Sequence, residues 1–412
     1  MVRRVLLIAY HFPPLQGSSG IQRTLRFAQY LPKLGWEPII LTAHPISYQL
    51  TRPTQLPKEF DNISIYRSFA LDTARHLSLL KRYPRMLAVP DRWISWWLGA
   101  FPQGFYLIKK FKPDVIWSTF PIATAHLIGY TLSRISGIPW AADFRDPMVQ
   151  PDYPTDPIIY RAYQWIEEKT IRNCASAIFT TANTRKDYIS RFSNVSESRF
   201  KVIENGYDEQ LFSEVTVEHQ VKQNKQLTLV HSGIIYSSER DPTYFFEALS
   251  DLLKEKYISS DNLKIILRAT YNDNFLQQLI NRFNIGSIVT LAPPISYKEA
   301  IAEMLSADGL IILQASNCNN QIPAKLYEYL RAQKPILALT DPEGDTGLKL
   351  ISLGFDTISR LDSKSDIKEL ILKFLDSIRN KIVQPLPLNQ LQLHSRESRT
   401  AELVEILNGI VR

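Results

Sequence analysis

Cysteine is nearly absent: Cys174 and Cys318 are the only two in 412 residues. Two distant thiols make no disulfide framework, and a reducing cytoplasm fits. Histidine is sparse, seven dispersed residues with no H-E-x-x-H pair, so neither a zinc site nor any other bound metal is expected. No stretch reaches the ~18 uncharged apolar residues of a membrane span; the nearest, Trp93 to Ile108, follows Asp91 and Arg92. The first residues, Met-Val-Arg-Arg-Val-Leu-Leu-Ile-Ala, are basic then apolar like a signal peptide. Their apolar run is short, no small-residue cleavage site follows, and His11-Phe12-Pro13-Pro14 closes it, which reads as a first strand. The fingerprints G-x-G-x-x-G, G-x-x-x-x-G-K-[ST] and G-x-S-x-G are all missing. Dinucleotide oxidoreductase, P-loop and nucleophile-elbow chemistry are therefore poorly supported.

What is present is ordinary globular usage, 45% hydrophobic and 22% charged, which excludes a disordered or collagen-like chain. At roughly 150 residues per domain the length fits two or three domains, two being the better fit. The formal charge of +7 is uneven. Residues 1–112 carry 16 Lys+Arg against 5 Asp+Glu, a balance of +11; the remainder carries 32 against 36, a balance of −4. A basic N-terminal part calls for an anionic partner on one face, or is simply a solvated surface. The charges are scattered and no helix-turn-helix, zinc-finger or RNP-type signature occurs, so an anionic membrane surface fits better than nucleic acid.

Apolar runs alternate with helix-period segments along the whole chain. Strands are expected at 4–10, 38–42, 114–118, 140–144, 177–181 and 201–204, with helices at 20–34, 122–136 and 160–173 between them. After the polar run 213–226 the pattern restarts with strands at 227–231, 263–267, 288–291, 309–313 and 336–339. Helices at 244–254, 275–283, 297–305, 323–331 and 364–379 accompany them. Such alternation means parallel sheets with crossover helices. The expected fold is α/β: two Rossmann-like, doubly wound domains, 1–205 and 225–385, facing a cleft. Residues 381–395 read as extended, and a last helix near 396–411, within 386–412, should cross back to the first domain. In such sheets ligands sit beyond the carboxyl ends of the strands, with the cleft between the domains as the default site.

The first strand runs into Gly17-Ser18-Ser19-Gly20 and then a helix. Glycines admit a ligand close to the backbone, and the helix start suits phosphate; Ser18 or Ser19 could equally be a plain N-cap. Pro90 to Phe101 is tryptophan-rich, with Lys81-Arg82-Tyr83-Pro84-Arg85 upstream. It suits either a lipid headgroup interface or a packed helix.

Together these pieces resemble glycosyltransferase family 4, retaining sugar-nucleotide enzymes of the GT-B fold. The resemblance rests on Phe12-Pro13-Pro14 with Gly17 to Arg23, Leu34-Gly35-Trp36-Glu37-Pro38, and Ile138 through Pro147. It continues with Ile203 to Asp208, His231-Ser232-Gly233, Arg240-Asp241-Pro242 running to Glu247-Ala248-Leu249, and Ile322 through Ile336. It implies that Glu328 holds the donor ribose hydroxyls, a role suited to a two-oxygen acceptor. Lys325, one turn earlier, and Arg240 would meet the donor diphosphate, with Gly233 at the family's glycine. The chain departs from the family at three places. Asn320 stands where the first acid of the helix pattern should be, Ile234 where an arginine is usual, and Arg145 where many relatives have a histidine. Asp143 or Asp146 then becomes the candidate for polar work at the reacting sugar; alternatively one caps a turn and the other pairs Arg145. Arg268 is a weaker phosphate candidate, His126 reads as packing, and His11 lies at a strand tip. With no D-x-D triplet, positive side chains and helix ends would carry the leaving-group charge in place of a metal or cofactor. The implied partners are a nucleotide-sugar donor and a lipid-linked or saccharide acceptor at the inner face of a plasma membrane, with no nucleic acid. A sugar-nucleotide epimerase and a non-catalytic scaffold of polysaccharide assembly remain as alternatives.

Overall fold

The structure is a computed structural model that describes residues 2–16, 20–51, 56, 58–80, 82–151, 153–215, 226–382 and 385–411. The chain forms two compact units, Met1–Asn205 with Arg396–Arg412, and Gly206–Ser395.

The first unit is built on parallel strands β1 (Arg3–Ile8), β2 (Trp36–Ala43), β3 (Ser64–Ser68), β4 (Val115–Thr119), β5 (Trp140–Arg145), β6 (Ser176–Phe179) and β7 (Phe200–Val202). They form one sheet in the order β3-β2-β1-β4-β5-β6-β7. Its central strands are apolar along their length because both faces are covered. In β1, Val5 and Leu7 face α1 (Gly20–Tyr30), where Phe27 and Ala28 pack. Leu6 and Ile8 face the other layer, as the two-residue period of a strand requires. That layer comprises α3 (Ser95–Phe111), α4 (Ala123–Ser136) and α5 (Pro157–Asn173), which follow the short α2 (Thr73–His76). Helix α6 (Ala182–Arg191) links β6 to β7.

The second unit opens with α7 (Glu209–Ser213) and holds β8 (Leu227–Ser232), β9 (Leu263–Arg268), β10 (Val289–Ala292), β11 (Gly309–Leu313), β12 (Ile336–Leu339) and β13 (Ile358–Ser359). They form a parallel sheet ordered β10-β9-β8-β11-β12-β13. Helices α8 (Thr243–Lys254), α9 (Asp273–Phe283), α10 (Tyr297–Ser306), α11 (Lys325–Ala332), α12 (Asp345–Ser352) and α13 (Lys364–Arg379) connect the strands, and α14 (Leu388–Gln392) follows. Leu229, Ile265 and Leu267 join one apolar cluster with α8, α9 and α13. Val230, Leu310 and Ile312 join the other with α10 and α11. The last helix, α15 (Arg396–Val411), belongs to the first unit. Its Leu403 and Leu407 are fully buried in the cluster that holds Val5, Leu7 and Phe27.

Several elements depart from the sequence expectation. Residues 381–395, expected extended, contain α14, and 386–395 belong to the second unit. The tryptophan-rich segment is the start of α3 and it packs. Trp96 is fully buried, and Trp97 stacks on Phe101 at 5.6 Å while its indole N–H meets Thr131 Oγ1 at 3.3 Å. Ser64–Ser68 and Ile358–Ser359 are edge strands, too short and too polar to stand out in the pattern. Of the polar run 213–226, residues 216–225 lie outside the described residues.

Candidate functional site

In the second unit a polar group gathers where β8 ends, against α11. In strand β8, after Leu229 and Val230, comes His231, which is buried. Its Nδ1 lies 3.0 Å from the Ile311 carbonyl oxygen, so that nitrogen carries the proton and donates. Nε2 is then left as an acceptor, 3.2 Å from Lys325 Nζ. Loss of hydration, together with the Lys325 charge, keeps the His231 ring neutral, well below its usual pKa. Lys325 is the first residue of α11. Loss of hydration first, then the Arg240 charge, lowers its ammonium pKa to about 7, against an opposing pull from Glu328.

Gly233 follows β8 at φ 116°, a conformation that favours glycine. A Cβ there would lie 3.1 Å from Lys325 Nζ, close enough that the lysine tip would have to shift by a few tenths of an ångström. Arg240 Nη1 donates to the Ile234 carbonyl at 2.6 Å, and the guanidinium carbon lies 5.5 Å from the Tyr236 ring centre. Glu328 accepts a hydrogen bond from the Tyr297 hydroxyl. The scaffold beneath is tied down. Ser232 N–H donates to the Tyr329 hydroxyl at 3.1 Å, joining β8 to α11. The loop before α11 is clamped by Gln314, whose amide donates to the carbonyls of Cys318 at 2.7 Å and Gln321 at 3.0 Å. Beside this group a cavity of about 340 Å³ is lined by Ile234, Ile235, Tyr236, Ser238, Tyr271 and Asn272. Ala269 and Tyr271 on its β9 side both sit at φ 56°, positions where backbone strain concentrates.

In the first unit a second group lies at the end of β5. Asp143 is fully buried and takes both oxygens to Arg23 of α1, at 2.8 and 2.9 Å, and a third bond from Thr119 Oγ1 at 3.0 Å. Arg23 also donates to the carbonyls of Ile203 and Glu204. Asp143 therefore ties α1, β4, β5 and the end of β7 together. The β5 register shifts between Asp143 and Arg145, and Arg145 sits at φ 61°. Asp146 follows this break and is exposed. Its carboxylate is reachable by solvent yet crowded by protein. Loss of bulk hydration raises its pKa, opposed by Arg145 and Arg23, with Asp143 adding to the rise. Arg145 donates to the Phe120 carbonyl at 3.3 Å, and its Nε is buried without a partner. His11 is pushed down to about 3 by loss of hydration and by the Arg145 charge.

The structure thus brings Gly233, Arg240, Lys325 and Glu328 into one corner of the second unit, and sets Asp146 beside Arg145 in the first. Gly17, Ser18 and Ser19 lie outside the described residues; Gly20 opens α1. Arg268 is engaged by Glu303 in a two-pronged ion pair and by the Pro293 carbonyl. Asn320 is exposed in the loop before α11. His126 is buried, with Nδ1 2.8 Å from Ser118 Oγ. The sequence reading passed over His231, Tyr297 and Arg23 as site-forming residues. His231 is a charged-type side chain in a buried strand, and that was the available signal; Arg23 stands among other polar residues of α1, and nothing local marked it. The Tyr297–Glu328 pairing spans elements and left no local trace.

Residues 19–206 match the family described as glycosyl transferase 4-like domain. No curated protein matches the sequence. Among solved structures, sucrose-phosphate synthase from Thermosynechococcus elongatus is similar at TM-score 0.70 and 12% identity, covering 99% of this chain and 98% of that one. Anabaena HepE, solved with UDP-glucose, is similar at TM-score 0.66 and 13% identity, covering 98% and 99%. A UDP-N-acetylglucosamine 2-epimerase is similar at TM-score 0.57 and 12% identity, covering 98% and 95%. At these identities the likeness concerns the fold, two Rossmann-like parallel-sheet domains of the GT-B type.

Proposed function

Because the chain carries a glycosyl transferase 4-like domain on a GT-B fold, we propose that it moves a sugar from a nucleotide-diphosphate donor to a lipid-linked or polysaccharide acceptor. We propose retention of the anomeric configuration and action at an anionic membrane face. The observation that supports this best is the convergence of Gly233, Arg240, Lys325 and Glu328 at the carboxyl edge of one parallel sheet.

The chemistry follows from the residue types. A diphosphate needs positive donors in a site that is partly dry. Lys325 has hydrogens left after its bond to His231, and Arg240 has more of its fork to offer than the one N–H given to Ile234. Glu328, steadied by Tyr297, can take the two hydroxyls of a ribose. Tyr236 and Tyr271 on the neighbouring cavity offer rings for a base to stack on. As the sugar–phosphate bond breaks, negative charge grows on the leaving diphosphate, and Lys325 with Arg240 is placed to stabilise it. The acceptor hydroxyl oxygen bonds the anomeric carbon on the face that the diphosphate leaves, and its proton passes to a phosphate oxygen of the leaving group. Asp146, beside Arg145, is the group proposed to orient the acceptor, and Gly17–Gly20 the loop that meets the diphosphate or sugar.

The test is calorimetric titration with a panel of nucleotide sugars, followed by turnover with and without acceptor. A true donor at 100 times its Kd should stabilise the fold by about 2.7 kcal/mol. Binding lost in Glu328→Ala, with turnover only when acceptor is supplied, is the expected result. Ile234 and Asn320 at family polar positions favour one competing reading, a non-catalytic scaffold, which would bind donor and never turn it over. Sugar interconversion without acceptor would instead mark an epimerase.

A further inference from the structure

Between α2 and α3 the described residues 77–80 and 82–87 make a finger that the sugar chemistry does not use. Its base is pinned. Thr73 N–H donates to the Arg92 carbonyl at 2.9 Å, Thr73 Oγ1 to the Leu87 carbonyl at 2.5 Å, and Arg92 pairs with Asp72. Leu79 and Arg82 exchange both backbone hydrogen bonds, at 2.8 and 2.9 Å, closing a tight turn. Leu80 occupies that turn at φ 49°, a left-handed conformation costly for a leucine. The strain does not serve burial, because Leu80 is 90% exposed, with Leu79 at 80% and Met86 at 85%. Single exposed leucines need no explanation, but a cluster of large aliphatics held out on a pinned turn does.

The charge around these tips has one sign. Lys81, Arg82 and Arg85 lie within 77–87 and no acid does. The nearest acids in sequence are spent inward: Asp72 on Arg92, and Asp91, which is buried, on the Thr124 N–H at 2.8 Å. Arg85 pairs with Asp156, while the Arg82 side chain is exposed without a partner among the described residues.

We infer that residues 77–87 dock this protein on an anionic lipid bilayer. Leu79, Leu80 and Met86 enter the acyl boundary, and Arg82 stays among the headgroup phosphates. Protein hot spots favour aromatic anchors seated in pockets. This tip instead protrudes, is aliphatic, and wears a basic collar, which matches an interfacial lipid contact. The +11 balance of residues 1–112 adds long-range attraction of the same sign. Among the described residues no helix is long and apolar enough to cross a membrane, so the contact lies on the surface. The inference deepens the membrane part of the proposed function and is independent of the donor chemistry.

The test sediments the full chain with phosphatidylcholine vesicles and with vesicles that also contain phosphatidylglycerol. The wild type should bind the anionic vesicles, more weakly as salt is raised, and not the neutral ones. The triple variant Leu79→Ser, Leu80→Ser, Met86→Ser should lose at least ~10-fold in partitioning, and Arg82→Gln ~5-fold. All of these side chains are exposed, so the melting temperature and the shift with UDP-glucose should be unchanged. That separates failure of this inference from failure of the donor reading. A triple variant that binds anionic vesicles as well as the wild type overturns the inference. So does a wild type that ignores them but self-associates through the finger.

Discussion

At the residue scale the decisive group is Lys325. Loss of hydration and the Arg240 charge lower its ammonium pKa to about 7. A bound diphosphate favours the charged form, so binding above pH 7 must take up a proton. The sign is therefore fixed: donor affinity falls as pH rises through 7 toward 9, approaching about tenfold per unit. Calorimetry across that range should show this slope, and Lys325→Met should flatten it while costing about 10- to 100-fold in affinity at pH 6.5. Asp143 makes a different prediction. Its carboxylate and the Arg23 guanidinium are both buried, so Arg23→Met strands a charge with only Thr119 to bond it. The loss should be about 3–5 kcal/mol, read as a lower denaturant midpoint. Neither role was visible locally: Asp143 and Arg23 are 120 residues apart, and a carboxylate that braces a fold looks in sequence like one that does chemistry.

At the element scale the joint between β8 and α11 is where the proposed donor site is tested. Gly233 holds φ 116° and leaves space for the Lys325 ammonium group. Gly233→Ala should strain that turn by about 1 kcal/mol or more and push Lys325 aside. Nucleotide affinity should then fall far more than the melting temperature; equal wild-type binding would show that the close approach is incidental. The strands and longer helices of this unit were legible because their apolar residues repeat at two or 3.6 positions over enough length to be counted. Helix α13 was read with the same ends it has. The register shift in β5 was not legible, since it depends on where β6 pairs. Nor was the difference in burial between the two carboxylates, Asp143 fully buried and Asp146 exposed.

At the scale of the whole molecule, α15 returns to the first unit after the chain has built the second. Leu403 and Leu407 are fully buried there, and Arg399 reaches Glu204 at 2.7 Å. Ending the chain before Arg396 should therefore destabilise the first unit by at least about 4 kcal/mol, taking ~2 or more per leucine. The second unit's own transition should persist, and differential scanning calorimetry would resolve the two. A single unchanged transition would contradict this.

Composition and periodicity by themselves determined that the chain builds parallel sheets layered with helices, because each strand and helix is recognised from neighbours a few residues away. Residue types at family positions made Glu328, Lys325 and Arg240 the candidates for the proposed nucleotide-diphosphate contact. Only the tertiary structure decided which charges are spent inside the fold, as with Asp143 on Arg23 and Arg268 on Glu303. The same holds for the tryptophans of α3, which packing claims, and for Leu79, Leu80 and Met86, which it leaves in water. Burial and pairing are set by residues far apart in the chain, and no local pattern records them.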